Sequence, residues 1–343
     1  MSQLTLELKP IEDILEYRWI TISEQKEFSD FLESFGVPSE DIRNCANTWR
    51  KYQCAVNPKG SCPKKIQYNQ CGCRGKCPRD SMSYAHHRAN ITYCFIKQNI
   101  ADRLDFDLKL NQIELTLPKD IEDMDTKLFT RMLRDFCLCF GLGAYGYSVH
   151  TRRSSNPLGS KRVHGHILSF NFDIDEKLTK NEYFHDVELM RDTWKLIIET
   201  NTNSKPDEVD IHTAYSSVIH DKEKVIHKLA YLYRYPIQDL FNAQVRTHTV
   251  NYFKTSQFKN SVYELLNEKK PRLIWCGWLS SSKRAKLQKL ISDIGYTWQT
   301  FKDIERDLKI LSDTCPNCKS PYEKNPCECG VYEGNNEPRI EPG

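Results

Sequence analysis

No stretch of the chain approaches the ~18 to 20 uninterrupted apolar residues needed to cross a bilayer. Its first residues, MSQLTLELKPIEDILEYRW, have neither the basic start nor the apolar run of a secretory signal. Membrane insertion and export are therefore not expected, and the cytoplasm is the expected compartment. Internal repeats and a glycine-rich phosphate loop are also missing. Net charge is small: 49 Lys and Arg against 46 Asp and Glu give +3 over 343 residues, too little to mark a nucleic-acid binder by itself. With 39% hydrophobic and 28% charged residues, the composition is that of a folded soluble protein.

Cysteine, by contrast, is plentiful. Fourteen thiols in a reducing compartment point to metal-bound thiolates rather than disulfides, so we expect one or two structural zinc ions. Near the C-terminus, Cys315-x-x-Cys318 followed by Cys327-x-Cys329 has the spacing of a closed four-thiolate zinc ribbon. Near the N-terminus, Cys45, Cys54, Cys62, Cys71, Cys73 and Cys77 lie among basic residues. Six thiols exceed one tetrahedral site, so a subset would bind, with His86 and His87 as further candidates. Cys94, Cys137, Cys139 and Cys276 sit in apolar contexts and read as small core residues.

The chain divides by composition into an N-terminal segment (1–44), to which no function is assigned, and a basic cysteine-rich zinc-binding module (45–95). A domain of alternating strands and helices (96–240) and a basic helical region (241–312) follow, then the zinc ribbon (313–332) and a loose tail (333–343). In the first segment, EQKEFSDFLESFG suits a short amphipathic helix closed by Gly36. In the central domain, 111–118 alternates like a strand and 126–141 has helical spacing. Strands at 144–151 and 162–170 flank a turn-rich loop, and helix 185–200, strand 208–217 and helix 222–235 follow, the last stopped by Pro236. The order β-α-β-β-α-β-α predicts an α+β fold, an antiparallel sheet of ferredoxin-like type with helices on one face.

Within that domain His164 and His166 are two apart in a strand, so their imidazoles leave one face roughly 6.6 to 7 Å apart, a spacing that a metal ion can bridge. By itself such a pair can equally line a polar face. Neutral imidazole suits several divalent metals, and a third ligand with open positions left over would make the ion catalytic. His150, at the end of the preceding strand, is the candidate third ligand. A register slip of one residue would turn it away and leave Glu114 or His212 in its place.

Three segments in order, QIELTLP, VHGHILS and the tyrosine-bearing AYLYR, resemble the first-strand, histidine and tyrosine motifs of the HUH endonucleases. The likeness is to the rolling-circle plasmid replication initiators with a single catalytic tyrosine, and it covers residues 110 to 236. Gly165 stands where the family has a bulky apolar residue, and Arg234 where lysine is usual.

The resemblance implies a metal-dependent DNA endonuclease and strand transferase. Tyr231 would attack a phosphodiester of single-stranded or hairpin origin DNA, leaving a 5′-phosphotyrosine and a free 3′-hydroxyl. Mn²⁺ or Mg²⁺ would be held by His164, His166 and His150. Arg234 would supply a fixed positive charge for phosphate. Tyr233 and Tyr235 compete with Tyr231, which fits Tyr-x-x-Arg best. His227, one turn before Tyr231, corresponds to a glutamate in some initiators and could act as base. The basic loop with Arg152, Arg153, Lys161 and Arg162 would contact the DNA, and host replication proteins are conceivable partners. A transposase of the HUH kind shares these parts. A non-catalytic zinc-containing DNA-binding regulator is the reading from another class.

Overall fold

The fold was taken from a computed structural model, which describes residues 20–45, 48–54, 65–68, 70–104, 108–140, 142, 144–152, 157–170, 187–207, 209–218, 221–246, 256–268, 273–313 and 322–331. The expected N-terminal helix is α1 (Ile22–Ser34). It starts at a capping box, where the Thr21 hydroxyl accepts from the Glu24 N–H and the Glu24 carboxylate accepts from the Thr21 N–H. Gly36, at φ 76°, ends it. A short helix α2 (Glu40–Arg43) and strands β1 (Thr48–Cys54) and β2 (Lys65–Tyr68) lead to the long helix α3 (Pro78–Ile96) and a single turn α4 (Asp102–Leu104).

The central stretch folds in the order its periodicities predict: β3 (Lys109–Leu115), α5 (Thr126–Cys139), β4 (Ala144–His150), β5 (His164–Phe170), α6 (Val187–Asn201), β6 (Ile211–Val218) and α7 (Lys222–Tyr233). Pro236 stops α7 as expected. It also opens a further helix, α8 (Pro236–Phe241), at the N1 position where a missing N–H costs nothing. Helix α9 (Ser256–Leu266), strand β7 (Ile274–Gly277), helices α10 (Arg284–Asp293) and α11 (Phe301–Asp313), and strand β8 (Tyr322–Val331) complete the described elements.

Five of these strands form one antiparallel sheet in the order β6-β3-β5-β4-β7, so the class is α+β. Helices cover both of its faces rather than one. Ile113, Leu115, Tyr147 and Ile167 pack under α5 and α6 with Phe129, Leu133, Phe136 and Trp194. Leu110, Ala144, Leu168 and Phe170 pack on the opposite face under α3 and α7. The reason is the pleat: both sets of alternating positions carry large apolar groups, so leaving either face bare would expose them to water. Helix α3 comes from the segment read as a cysteine-rich module.

Two strands cross the expected segment boundaries. β7, from the region expected to be helical, adds to the sheet beside β4. β8, which carries Cys327 and Cys329, pairs antiparallel with β1, which carries Cys54, in a three-stranded sheet β2-β1-β8. A third apolar cluster joins α1, α2, α8 and α9, and includes Leu158 from the loop between β4 and β5. Among the described residues no helix is long and apolar enough to cross a membrane.

Candidate metal and tyrosine site

Register decides which histidines meet. In the β4–β5 ladder His150 pairs with His164 and Ser148 with His166, so all three imidazoles leave the same face. Their ring centroids are 4.6 to 5.5 Å apart, and one ligand nitrogen from each lies within 4.8 Å of the others. His166 is 0% exposed, His164 4% and His150 8%. Nδ1 of His164 lies 3.1 Å from the Arg162 carbonyl, which can only accept. That nitrogen therefore carries the proton and leaves Nε2 as a lone-pair donor.

Burial holds all three rings below the ordinary histidine range. His150 and His166 are pushed furthest, with neighbouring histidines and Arg234 adding to the effect, while Glu114 partly opposes it at His164. Neutral imidazole is the form that binds metal. Both ring nitrogens of His166 and Nε2 of His150 are buried without a hydrogen-bond partner, a costly arrangement that a coordinated cation would resolve. The donor set thus fits a divalent ion. Glu114 lies opposite His166 across β3–β5, with its carboxylate 3.9 Å from His166 Nδ1. His150 supplies the third ring, and Glu114 stands behind the set. His212 pairs with Glu114 on the other side, in β6.

Of the three tyrosines, one reaches this set. The Tyr231 ring is 4.9 Å from that of His166 and 5.8 Å from that of His150. Tyr233 is buried on a different side of α7, its hydroxyl 2.8 Å from that of Thr92 on α3. Tyr235 lies beyond the helix against Tyr84, ring centroids 6.0 Å apart. The Ser148 hydroxyl, on the histidine face of β4, donates to the Leu232 carbonyl at 3.3 Å and helps seat α7 there.

Arg234 lies in extended backbone between α7 and α8 rather than on the helix. Its guanidinium folds back over the Tyr231 ring, 4.0 Å from the centroid, and pairs with Asp239 at 2.9 Å. Cation–π contact and ion pair together fix the charge beside the phenol. Asp239 was not foreseen; its position in the turn opened by Pro236 is the signal available in the sequence. His227 is pushed below the ordinary histidine range by burial and by Arg234, so it is neutral at pH 7.

The loop joining the two histidine strands presents less charge than expected. Arg152 is buried between Glu268 and Glu264 and donates to the Gly159 carbonyl. In this structure its guanidinium is engaged by two carboxylates and a carbonyl of the chain itself. Arg162 pairs with Glu122 at 3.3 Å, Lys161 is exposed, and Arg153 lies outside the described residues.

Among the N-terminal cysteines, Cys45, Cys71 and Cys77 come together with their sulfurs within 4.8 Å of one another, and Cys73 is adjacent to Cys71. His86 and His87 are not in that group; His87 lies 3.4 Å from Glu305. Cys62, Cys315 and Cys318 lie outside the described residues. Cys137 is buried as expected and Cys94 and Cys276 are partly buried, whereas Cys139 is exposed on α5. Comparison of the chain with protein families, curated proteins and solved structures finds no match.

Proposed function

We propose that the chain is a metal-dependent nickase and strand transferase of the HUH kind, a rolling-circle initiator acting on single-stranded origin DNA with Tyr231 as nucleophile. The observation that carries the reading is the seating of the Tyr231 ring against His166 and His150, two of three buried, neutral histidines whose ligand atoms lie within 4.8 Å of one another. The strand order β6-β3-β5-β4 is that of a ferredoxin-like split βαβ, which agrees with the resemblance of the three motifs. When bound, a divalent ion polarises a phosphoryl oxygen and neutralises developing charge.

The chain's own groups account for the remainder. A phenol with an ordinary pKa near 10 is a weak nucleophile at neutral pH. The Arg234 guanidinium over the ring favours the phenolate, and Asp239 keeps it there. Neutral His227, one helical turn before Tyr231, accepts the phenol proton. The tyrosine oxygen then bonds to phosphorus, and the bond from phosphorus to the 3′-oxygen breaks. The 3′-oxygen leaves as a hydroxyl after taking a proton from water. Phosphodiester energy is retained in the phosphotyrosine, so a second 3′-hydroxyl can reverse the step and rejoin strands. Lys161, exposed beside the histidine strands, is a cation for the DNA backbone.

The test is incubation of the full chain, with Mn²⁺, with single-stranded oligonucleotides tiling the replicon that carries its gene. A protein–DNA adduct that survives denaturation is expected. It should be absent with Tyr231→Phe and strongly reduced with His164→Ala. No adduct on any strand overturns the reading, and an adduct with Tyr231→Phe reassigns the nucleophile.

A further inference from the structure

The segment Cys71-Gly-Cys-Arg-Gly-Lys-Cys77 folds into a tight knuckle immediately before α3. The Lys76 and Cys77 N–H groups both donate to the Cys73 carbonyl, at 2.9 and 2.7 Å, and Gly72 sits at φ 76°, where a side chain would be strained. This turn brings the Cys71 and Cys77 thiols to one side, and Cys45, following α2, arrives from the other. A tetrahedral zinc–thiolate site with ~2.3 Å bonds places its sulfurs about 3.8 Å apart. Three sulfurs within 4.8 Å of one another are thus already near ligand spacing.

Two donors are aimed at the sulfurs. Nε2 of Gln25, a fully buried side chain on α1, lies 3.3 Å from Cys77 Sγ, and the Cys73 N–H lies 3.4 Å from Cys71 Sγ. N–H donors directed at sulfur are the outer partners expected of metal-bound thiolates. Arg79 anchors the same corner from the first turn of α3, donating to the carbonyls of Ile20 at 2.7 Å and Cys45 at 3.0 Å.

We infer that Cys45, Cys71 and Cys77, whose sulfurs already stand near ligand spacing, bind one structural Zn²⁺ distinct from the histidine site, and that the neighbouring Cys73, whose sulfur lies 3.7 Å from the Cys71 carbonyl, turns in to close it as the fourth thiolate. Its place in the fold gives it a purpose. Cys45 and Cys77 are part of the third apolar cluster, with Phe28 and Leu32 of α1, Ile237 and Phe241 of α8, and Leu158 of the loop between the histidine strands. From the knuckle, Ser81 on α3 accepts from Gln238 on α8 at 2.9 Å. Helix α8 in turn carries Asp239, which holds Arg234 over Tyr231. The ion therefore ties the N-terminal helices and the root of α3 to the element that sets the arginine. Four thiolates leave it no open position for substrate.

The test is residue-resolved alkylation read by mass spectrometry on the full, reduced chain loaded with Zn²⁺, with and without a strong chelator, alongside total zinc content. Burial alone protects Cys45 and Cys77, so the informative thiols are Cys71 and Cys73, which are partly exposed, with exposed Cys139 and buried Cys137 as internal references. With zinc bound, Cys71 and Cys73 should react slower than Cys139 by on the order of tenfold or more, because a coordinated thiolate is not available to the reagent. Chelator should bring them to the rate of Cys139 while Cys137 stays protected. Cys71→Ser should remove one zinc per chain. Labelling of Cys71 and Cys73 as fast as Cys139 in the zinc-loaded protein overturns the assignment. Protection that yields to stronger reductant but not to chelator also overturns it, because that is the behaviour of a disulfide.

Discussion

Along β5 alternate residues face two different environments. Gly165 and Ile167 lie under α5 and α6, where Phe129, Leu133, Phe136 and Trp194 fill the space. His164, His166, Leu168 and Phe170 face α3 and α7, and at the His164 end that face changes from apolar core to three imidazoles, a tyrosine and an arginine. Around Gly165 the first face is perturbed through volume. The other can also be perturbed through charge, protons and metal. If that division is real, substitutions on the first face move stability and leave metal binding alone, and substitutions on the second do the reverse.

The largest effects should come from the contact between Gly165 and Leu133, probed by Gly165→Val and Leu133→Ala. A Cβ at Gly165 would lie 2.7 Å from both Leu133 methyls and 3.0 Å from Phe129, all on fully buried side chains. Valine favours strand geometry and loses less chain entropy than glycine, gains of up to about 1 kcal/mol each. Two further methyls in a filled core outweigh them, and we expect net destabilisation of about 1–3 kcal/mol in urea melts, with Mn²⁺ affinity unchanged. Leu133→Ala should cost about 2–5 kcal/mol alone. The double variant should cost clearly less than the sum, since each change supplies the space the other lacks. Additive costs would mean that the glycine answers to something other than the α5 side chains.

The same packing explains what could be read from sequence and what could not. Periods of 2 and 3.6 exposed the order from β3 to α7, and the histidine spacing placed two ligands on one face before any register was known. His150 needed the β4–β5 ladder, because a slip of one residue would have reversed it. Strand β7 has four residues and little alternation, so only its pairing with β4 defines it. Helix α3 was hidden by the cysteines before it, and its role as cover for the histidine face follows from contact with α7. The union of Cys45 with Cys71 and Cys77 bridges more than twenty residues of intervening chain, and it is tertiary packing that brings those three together among the described residues.

A smaller effect tests the polar face away from its metal ligands. His86 on α3 is pushed down to about 4, first by burial and then by His227 on the facing helix. The unfolded ring binds its proton near 6.5, so between those values the unfolded chain holds more protons than the folded one. The stability that the neutral ring contributes is present above about pH 6.5 and is lost as pH falls toward 4. His86→Gln should flatten the fall. At pH 5 the variant should recover on the order of 1 kcal/mol relative to wild type, after allowance for the partly exposed ring, and nothing at pH 7.5. Parallel stability–pH curves would show that His86 takes up its proton without cost when folded.

The smallest change in stability should follow from the substitution nearest the chemistry. In the metal-free chain, His166→Ala removes a buried ring, which costs packing. It also removes two ring nitrogens with no hydrogen-bond partner, which relieves a desolvation penalty of about 1–3 kcal/mol each. The opposing terms should leave the metal-free variant within about 1 kcal/mol of wild type. Metal separates the two proteins. At a Mn²⁺ concentration a hundredfold above Kd, wild type should gain about 2.7 kcal/mol by linkage, and the variant close to none. Gly165→Val, one residue away on the other face, should show the opposite pattern: destabilised with or without Mn²⁺, yet with the full metal-linked gain. If His166→Ala instead costs several kcal/mol in the metal-free chain, the imidazole is a core group and the two faces differ less than their residues suggest.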